Sequence, residues 1–93
     1  MIIFSPWRVS ADKYSTSHFR LGDPTIYLHY DLDTEKWCAT SSPGELPNEI
    51  FGVYFVSHQD INKVKGLIDQ ILLKNNCVLT KSISEYQKLS ILQ

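Results

Sequence analysis

The sequence has little that would direct the chain to a membrane, a zinc ion or a nucleic acid. No segment approaches the ~20 consecutive apolar residues of a membrane-spanning helix. Cysteine occurs only twice, and the paired Cys/His spacing by which zinc sites are usually recognised is missing. Nine basic residues stand against ten acidic ones, so the net charge of −1 gives no general attraction to phosphate. We therefore expect no membrane span, no metal and no nucleic-acid partner.

Catalytic and cofactor-binding motifs are missing as well. Free imidazole titrates near neutral pH, so the three histidines are candidates for acid–base roles, namely His18, His29 and His58. None of them lies in a recognisable nucleophile motif. We predict a protein without cofactor or catalytic activity. The alternative is a small hydrolase or nuclease that uses these histidines together with Arg8 or Arg20.

The composition that is present fits one globular domain. A chain of 93 residues, 43% of them hydrophobic, falls within the ~50 to ~200 residues of ordinary domains, and we assign residues 1–93 to a single one. The first eight residues have no basic region, and their apolar run is too short for a signal peptide. We expect a cytoplasmic protein in which Cys38 and Cys77 remain reduced thiols.

The clearest local pattern is a β-hairpin in residues 25–40. Apolar and polar side chains alternate over residues 25–30, a second strand is predicted over residues 36–40, and residues 32–35 are the turn. This turn implies one pairing register between the two strands. The register is favoured for two independent reasons, because it forms an opposite-charge pair and because it places apolar residues together on one face. It pairs Asp31 with Lys36, Tyr30 with Trp37, His29 with Cys38 and Leu28 with Ala39.

Other strands are predicted from apolar runs and turn residues. Pro6 removes a backbone donor, so residues 2–9 are predicted as a short edge strand. Residues 12–22 are mixed, and their pattern leaves strand and loop equally open until a Gly-Asp-Pro turn ends the segment. Apolar residues on both faces of residues 50–56 favour a central strand, and residues 77–80 favour a short final one.

A long helix is predicted over residues 58–74. Ser57 and Asp60 resemble a capping box at its start, and Asn75 and Asn76 supply a left-handed stop at its end. Its apolar stripe recurs at helical spacing, with Leu67 at its margin, and consists of Ile61, Val64, Ile68, Ile71 and Leu72.

A second capping box, Ser82 with Glu85, predicts a final helix. The buried stripe of that helix is expected to consist of Ile83, Tyr86 and Leu89. Together these elements predict an α+β fold, a small, mostly antiparallel sheet of three to five strands with two helices packed on one face.

The aromatic–basic neighbours Trp7-Arg8 and Phe19-Arg20 are of the kind that stack on nucleobases. Adjacent residues of a strand point to opposite faces of the sheet. We therefore predict that each pair consists of one core aromatic residue and one surface charge.

The hairpin turn resembles the opening of a calcium loop, because oxygen-bearing side chains alternate over residues 31–35. Lys36 stands where such a loop requires glycine, and Ser42 stands where it requires glutamate. A solvated turn is therefore the better interpretation.

Charge is concentrated in residues 31–49, which carry five acidic residues and one lysine. Such a local negative field, with an aromatic anchor beside it, suits a basic protein partner. The candidate partner-binding residues are Asp31, Asp33, Glu35, Trp37, Glu45 and Glu49.

The function that we expect from this segment is protein binding without catalysis, as in an inhibitor or immunity-type protein of bacterial or phage origin that docks a basic partner. One alternative is an ordinary turn kept acidic for solubility. Another is a structural subunit that self-associates into a homo-oligomer.

Overall fold

Four strands form an antiparallel sheet in which strands consecutive in the sequence are neighbours, and two short strands form a separate parallel pair. The computed structural model describes residues 2–11, 13, 15–52 and 61–92. The elements are β1 (Ile3–Phe4), β2 (Arg8–Ala11), β3 (Thr16–Arg20), β4 (Ile26–Asp31), β5 (Lys36–Ser41), a 3-10 helix (Asn48–Gly52), α1 (Ile61–Lys74), β6 (Val78–Leu79) and α2 (Ile83–Ile91). The predicted α+β class is confirmed.

The predicted hairpin is confirmed residue by residue. Strands β4 and β5 pair in the expected register, from Asp31 opposite Lys36 to Leu28 opposite Ala39. One face of this hairpin is buried, because Leu28, Trp37 and Ala39 are at most 4% exposed. Alternation and cross-strand pairing were sufficient to predict it because a slip of one residue would turn this face outward.

Helix α1 packs its predicted stripe against that buried face. Val64, Ile68 and Leu72 are completely buried and belong to the same hydrophobic cluster as the inward residues of β4 and β5. Ile61 and Ile71 are half-buried at the margin of the cluster. The predicted cap at Ser57 and Asp60, like residues 58–60 of the predicted helix, lies outside the described residues.

Helix α1 ends as predicted at its two asparagines. Asn76 adopts the left-handed conformation, with φ of 63°. The N–H of Cys77 donates to the carbonyl of Leu72 at 3.0 Å, and the N–H of Asn76 donates to the carbonyl of Leu73 at 3.1 Å. These two bonds form a Schellman motif, which satisfies the last carbonyls of the helix and turns the chain into β6.

The N-terminal segment divides where the sequence predicted one edge strand. Strand β1 pairs in parallel with β6, and β2 is an edge strand of the four-stranded sheet. The segment between them contains Pro6, which has no N–H to continue a ladder. Ser5 and Leu21 are instead joined by two hydrogen bonds. The N–H of Ser5 donates to the carbonyl of Leu21 at 2.8 Å, and the N–H of Leu21 donates to Oγ of Ser5 at 2.8 Å.

The predicted central strand over residues 50–56 is wrong for its described part. Residues Asn48–Gly52 form a 3-10 helix, in which the N–H of Ile50 donates to the carbonyl of Pro47 at 3.2 Å. Ile50 is completely buried, so its apolar character reflects one anchor in the core and not membership of a strand. Residues 53–56 lie outside the described part of the chain.

Helix α2 begins at the predicted cap, where Oγ of Ser82 accepts the N–H of Glu85 at 3.1 Å. Its predicted stripe, Ile83, Tyr86 and Leu89, is half-buried, and no residue of α2 is fully buried. Among the described residues, neither helix is long and apolar enough to cross a membrane.

Candidate binding surfaces

Residues 31–35, which we call the acidic turn, form an ordered tip on the β4–β5 hairpin. The carboxylate of Asp31 accepts the N–H of Asp33 and the hydroxyl of Thr34, each at 2.9 Å. These two bonds, the hydroxyl first, hold the pKa of Asp31 below its ordinary value. Leu32 is 85% exposed in the middle of this acidic segment. The turn therefore presents an apolar side chain among exposed carboxylates.

Trp37, predicted as an aromatic anchor for a partner, is instead part of the core. Its side chain is 2% exposed. Its ring makes edge-on contacts with His18 at 5.7 Å and with Tyr30 at 5.4 Å between ring centroids. Strand alternation turns Trp37, which pairs with Tyr30, towards the core. Trp37 therefore packs under the hairpin on its buried face and presents no surface to a partner.

The other two predicted carboxylates lie away from the acidic turn. Ser42 closes the opposite end of the hairpin, because its N–H donates to the carbonyl of Thr25 at 3.0 Å. Glu45 follows shortly after Ser42. Strand β5 rises ~3.3 Å per residue, so roughly 17 Å separate its Ser41 end from its Lys36 end, where the acidic turn lies. Glu49 lies on the 3-10 helix, where its carboxylate is 4.0 Å from the ammonium of Lys74. The structure therefore brings together Asp31, Asp33 and Glu35 only.

Arg20, predicted as a surface charge, is buried in an ionic network and is 6% exposed. Its guanidinium donates from Nε and Nη2 to the two carboxylate oxygens of Asp69, at 3.1 and 3.0 Å, and from Nη1 to the carbonyl of Ser5. The indole N–H of Trp7 donates to Asp69 at 2.9 Å, and the guanidinium lies 5.1 Å from the Trp7 ring. The network joins the N-terminal segment, β3 and α1.

Lys65 is a further charged group beside this network. Its ammonium lies 5.8 Å from the Trp7 ring centroid. Burial lowers the pKa of Lys65, an effect that the Asp69 carboxylate opposes and the Arg20 charge reinforces. Nε, Nη1 and Nη2 of Arg20 all donate hydrogen bonds within the protein. The network therefore stabilises the fold and is not an anion-binding site.

The face of the four-stranded sheet opposite α1, which we call the open face, carries an aromatic cluster. It is built from two cross-strand rows that the register defines, Arg8-Phe19-Tyr27-Thr40 and Ser10-Ser17-His29-Cys38. Phe19 and Tyr27 are 6.4 Å apart between ring centroids, and the rings of Tyr27 and His29 are 6.1 Å apart and within 16° of parallel. A shallow groove of about 320 Å³ is lined by Ser10, Ser17, Phe19, Leu21, Tyr27 and His29.

Two polar contacts position these rings. The guanidinium of Arg8 lies 6.0 Å from the Phe19 ring centroid, directly across the β2–β3 pair. Oγ of Ser17 and Nδ1 of His29 are hydrogen-bonded at 2.9 Å. Phe19, predicted to lie in the core beside a surface Arg20, lies on the open face, and Arg20 lies on the core side of β3. The alternation of residues 16–20 could have shown that Phe19 shares a face with Tyr27 once the β3–β4 pairing was known.

The histidines proposed for an enzyme are not brought together. His18 lies on the core face, in the cross-strand row of Leu28, whereas His29 lies on the open face. His58 lies outside the described residues. Of the two arginines considered with the histidines, Arg20 forms an ion pair with Asp69. Within the described ranges, no group of three or more His, Cys, Asp or Glu side chains is arranged to hold a metal ion.

Comparisons with known proteins leave the function to be argued from these surfaces. The chain matches no model of a protein family, and no curated protein or solved structure shows a significant match to it. The acidic turn and the open face are therefore the two candidate binding surfaces, and each is judged on its own chemistry.

Proposed function

We propose that this chain is a non-catalytic protein-binding domain that docks a basic partner through the acidic turn. The observation that supports this proposal is the exposure of Leu32, 85% of whose surface is accessible between Asp31 and Asp33. Burying a leucine side chain on a partner contributes about 1.5–3 kcal/mol. An apolar residue held at an ordered tip is therefore suited to enter a pocket.

The surrounding carboxylates give this tip its preference for a basic partner. Asp31, Asp33 and Glu35 are exposed, and Lys36 alone opposes them within the hairpin. A local negative field of this kind speeds diffusional encounter with a positive surface and disfavours acidic proteins. The hydrogen bonds of Asp31 also reduce the entropy that the turn loses when it is bound, because the turn is already ordered.

An inhibitor or immunity-type protein of bacterial or phage origin would use such a surface against a basic, nucleic-acid-handling enzyme. We place this function in the cytoplasm, because both cysteines are free thiols, as expected in a reducing compartment.

Comparative affinity capture from a lysate of the source cells tests the proposal. The baits are the wild-type chain, Asp33→Lys with Glu35→Lys, and a matched control, Glu45→Lys with Glu49→Lys. Each pair of reversals adds four charges and moves the net charge from −1 to +3. The two variants therefore differ in where the charge is reversed and not in how much.

We expect the wild-type and control baits to enrich the same basic protein, and the turn variant to lose it. A further bait, Leu32→Ser, keeps the charges and is expected to weaken capture by removing the apolar contact. Equal loss with both charge variants would show that overall charge, and not the turn, directs binding. A partner retained by the turn variant would overturn the proposal.

A further inference from the structure

We propose that the open face of the four-stranded sheet binds single-stranded nucleic acid, with bases stacked on Phe19, Tyr27 and His29. This surface is separate from the acidic turn, and the proposal does not depend on the function proposed for that turn. It replaces the expectation, drawn from net charge, that nucleic acid is not a partner.

The three rings are arranged as a row of neighbours on one face of the sheet. Phe19 and Tyr27 are direct cross-strand partners, and His29 follows Tyr27 on the same face of β4, so the three rings are consecutive neighbours. Centroid separations of 6.4 and 6.1 Å leave each ring its own place on the surface. Successive bases of a single strand stack on such platforms without sequence preference, because every base has a π face.

Polar side chains accompany the rings on the open face. The groove beside them is lined by the hydroxyls of Ser10 and Ser17, and Leu21 is its one aliphatic residue. Arg8 lies across the β2–β3 pair from Phe19, with its guanidinium 6.0 Å from the ring centroid, and Thr40 ends the same row. An apolar partner surface would bury these hydroxyls and the guanidinium without hydrogen-bond partners, at a cost, whereas a nucleic acid offers them sugar and phosphate oxygens.

Charge decides how strongly and in what manner such a strand would bind. Arg8 is the one charged side chain in the two rows of the open face, because Asp31 and Lys36 oppose each other beyond these rows, at the end of the β4–β5 pair. One or two phosphate contacts predict a shallow salt dependence, with a slope of log K against log salt of about −0.7 to −1.4. Stacking, and not charge, is therefore expected to supply most of the affinity.

The test uses a fluorescein-labelled oligothymidylate, an oligouridylate and an abasic oligonucleotide of equal length, titrated with the full chain by fluorescence anisotropy. Phe19→Leu and Tyr27→Leu keep apolar bulk but remove a ring, and each is expected to weaken binding about 5- to 150-fold, the effect of losing one base stack. Tyr27→Phe keeps the ring and is expected to bind within about twofold of wild type. The abasic strand is expected to bind much more weakly than either base-containing strand.

Three results would overturn the proposal. They are equal affinity for the abasic strand, leucine variants that bind as well as the wild type, and no binding of any strand at the highest soluble protein concentration. The amide shifts of the wild-type chain, followed by NMR during the titration, check the site even if a variant fails to fold. They are expected to move on β3 and β4 near Phe19 and Tyr27, and shifts confined to the acidic turn would also refute the proposal. Loss of protein binding by Leu32→Ser leaves this test unaffected.

Discussion

Removing the carboxylate of Asp69 should destabilise the fold more than removing a surface acid. Asp69 accepts three hydrogen bonds, two from Arg20 and one from the indole of Trp7. In Asp69→Ala the guanidinium of Arg20, 6% exposed, loses its counter-charge, and leaving a buried charge unpaired costs about 3–5 kcal/mol. The Asp69 side chain is 28% exposed, so water can enter, and we expect the lower end, about 3 kcal/mol.

Urea denaturation of wild type and variants measures this effect. The control is Asp33→Ala, at an exposed residue of the acidic turn, with an expected loss within about 0.5 kcal/mol. The double variant Arg20→Met with Asp69→Leu removes both charges and is expected to recover part of the loss, because no charge is left unpaired although the Trp7 N–H and the Ser5 carbonyl lose their partners. A loss below about 1 kcal/mol in Asp69→Ala would show that the network is largely hydrated and refute the reasoning. If the double variant is as unstable as the single one, the cost comes from packing and not from the unpaired charge.

Three further predictions follow from local geometry. Gly22→Ala would place a methyl group 2.6 Å from the buried ring of Phe4 and is expected to lower the free energy of unfolding by about 1–3 kcal/mol. Gly66→Ala in α1 meets nothing within 4 Å and is expected to raise the free energy of unfolding by about 0.5–1 kcal/mol. Calorimetry that finds a change of the same sign for both variants would contradict this packing. Thr34→Val removes the hydroxyl that lowers the pKa of Asp31, so an NMR titration should show that pKa rising towards its ordinary 3.8, and the variant should lose less stability than wild type as the pH falls below that value. Burial raises the pKa of the Cys77 thiol, so mass spectrometry of a timed alkylation should find Cys38 modified before Cys77. Faster alkylation of Cys77 would be inconsistent with its 8% exposure.

The hairpin and the helices were predictable because local patterns determine them. Alternation and an opposite-charge pair give the β4–β5 register, since both criteria involve residues only a few positions apart in the chain. The two asparagines after α1 and the Ser82 cap likewise act within one turn of a helix. Each of these features can be derived without knowing where the remote parts of the chain lie.

The errors arose where a distant residue decides the outcome. Arg20 resembles a surface charge until Asp69, 49 residues later, is placed beside it. The burial of Ile50 was expected, but a 3-10 turn after Pro47 achieves it without a strand. The parallel pairing of β1 with β6 joins residues near opposite ends of the chain, and no short-range pattern indicates it. The open face was missed for the same reason, because its rows exist only once β2, β3 and β4 are paired.

The association rate with the captured basic partner, measured by stopped flow over a range of ionic strength, tests the proposed function most directly. Steering by exposed carboxylates is screened beyond ~8 Å at physiological ionic strength, so the wild-type rate should fall as salt rises. Asp33→Lys with Glu35→Lys should associate much more slowly, and Glu45→Lys with Glu49→Lys should stay closer to the wild type. A rate that is indifferent to salt and to reversal of the acidic turn would contradict the acidic turn as the docking surface.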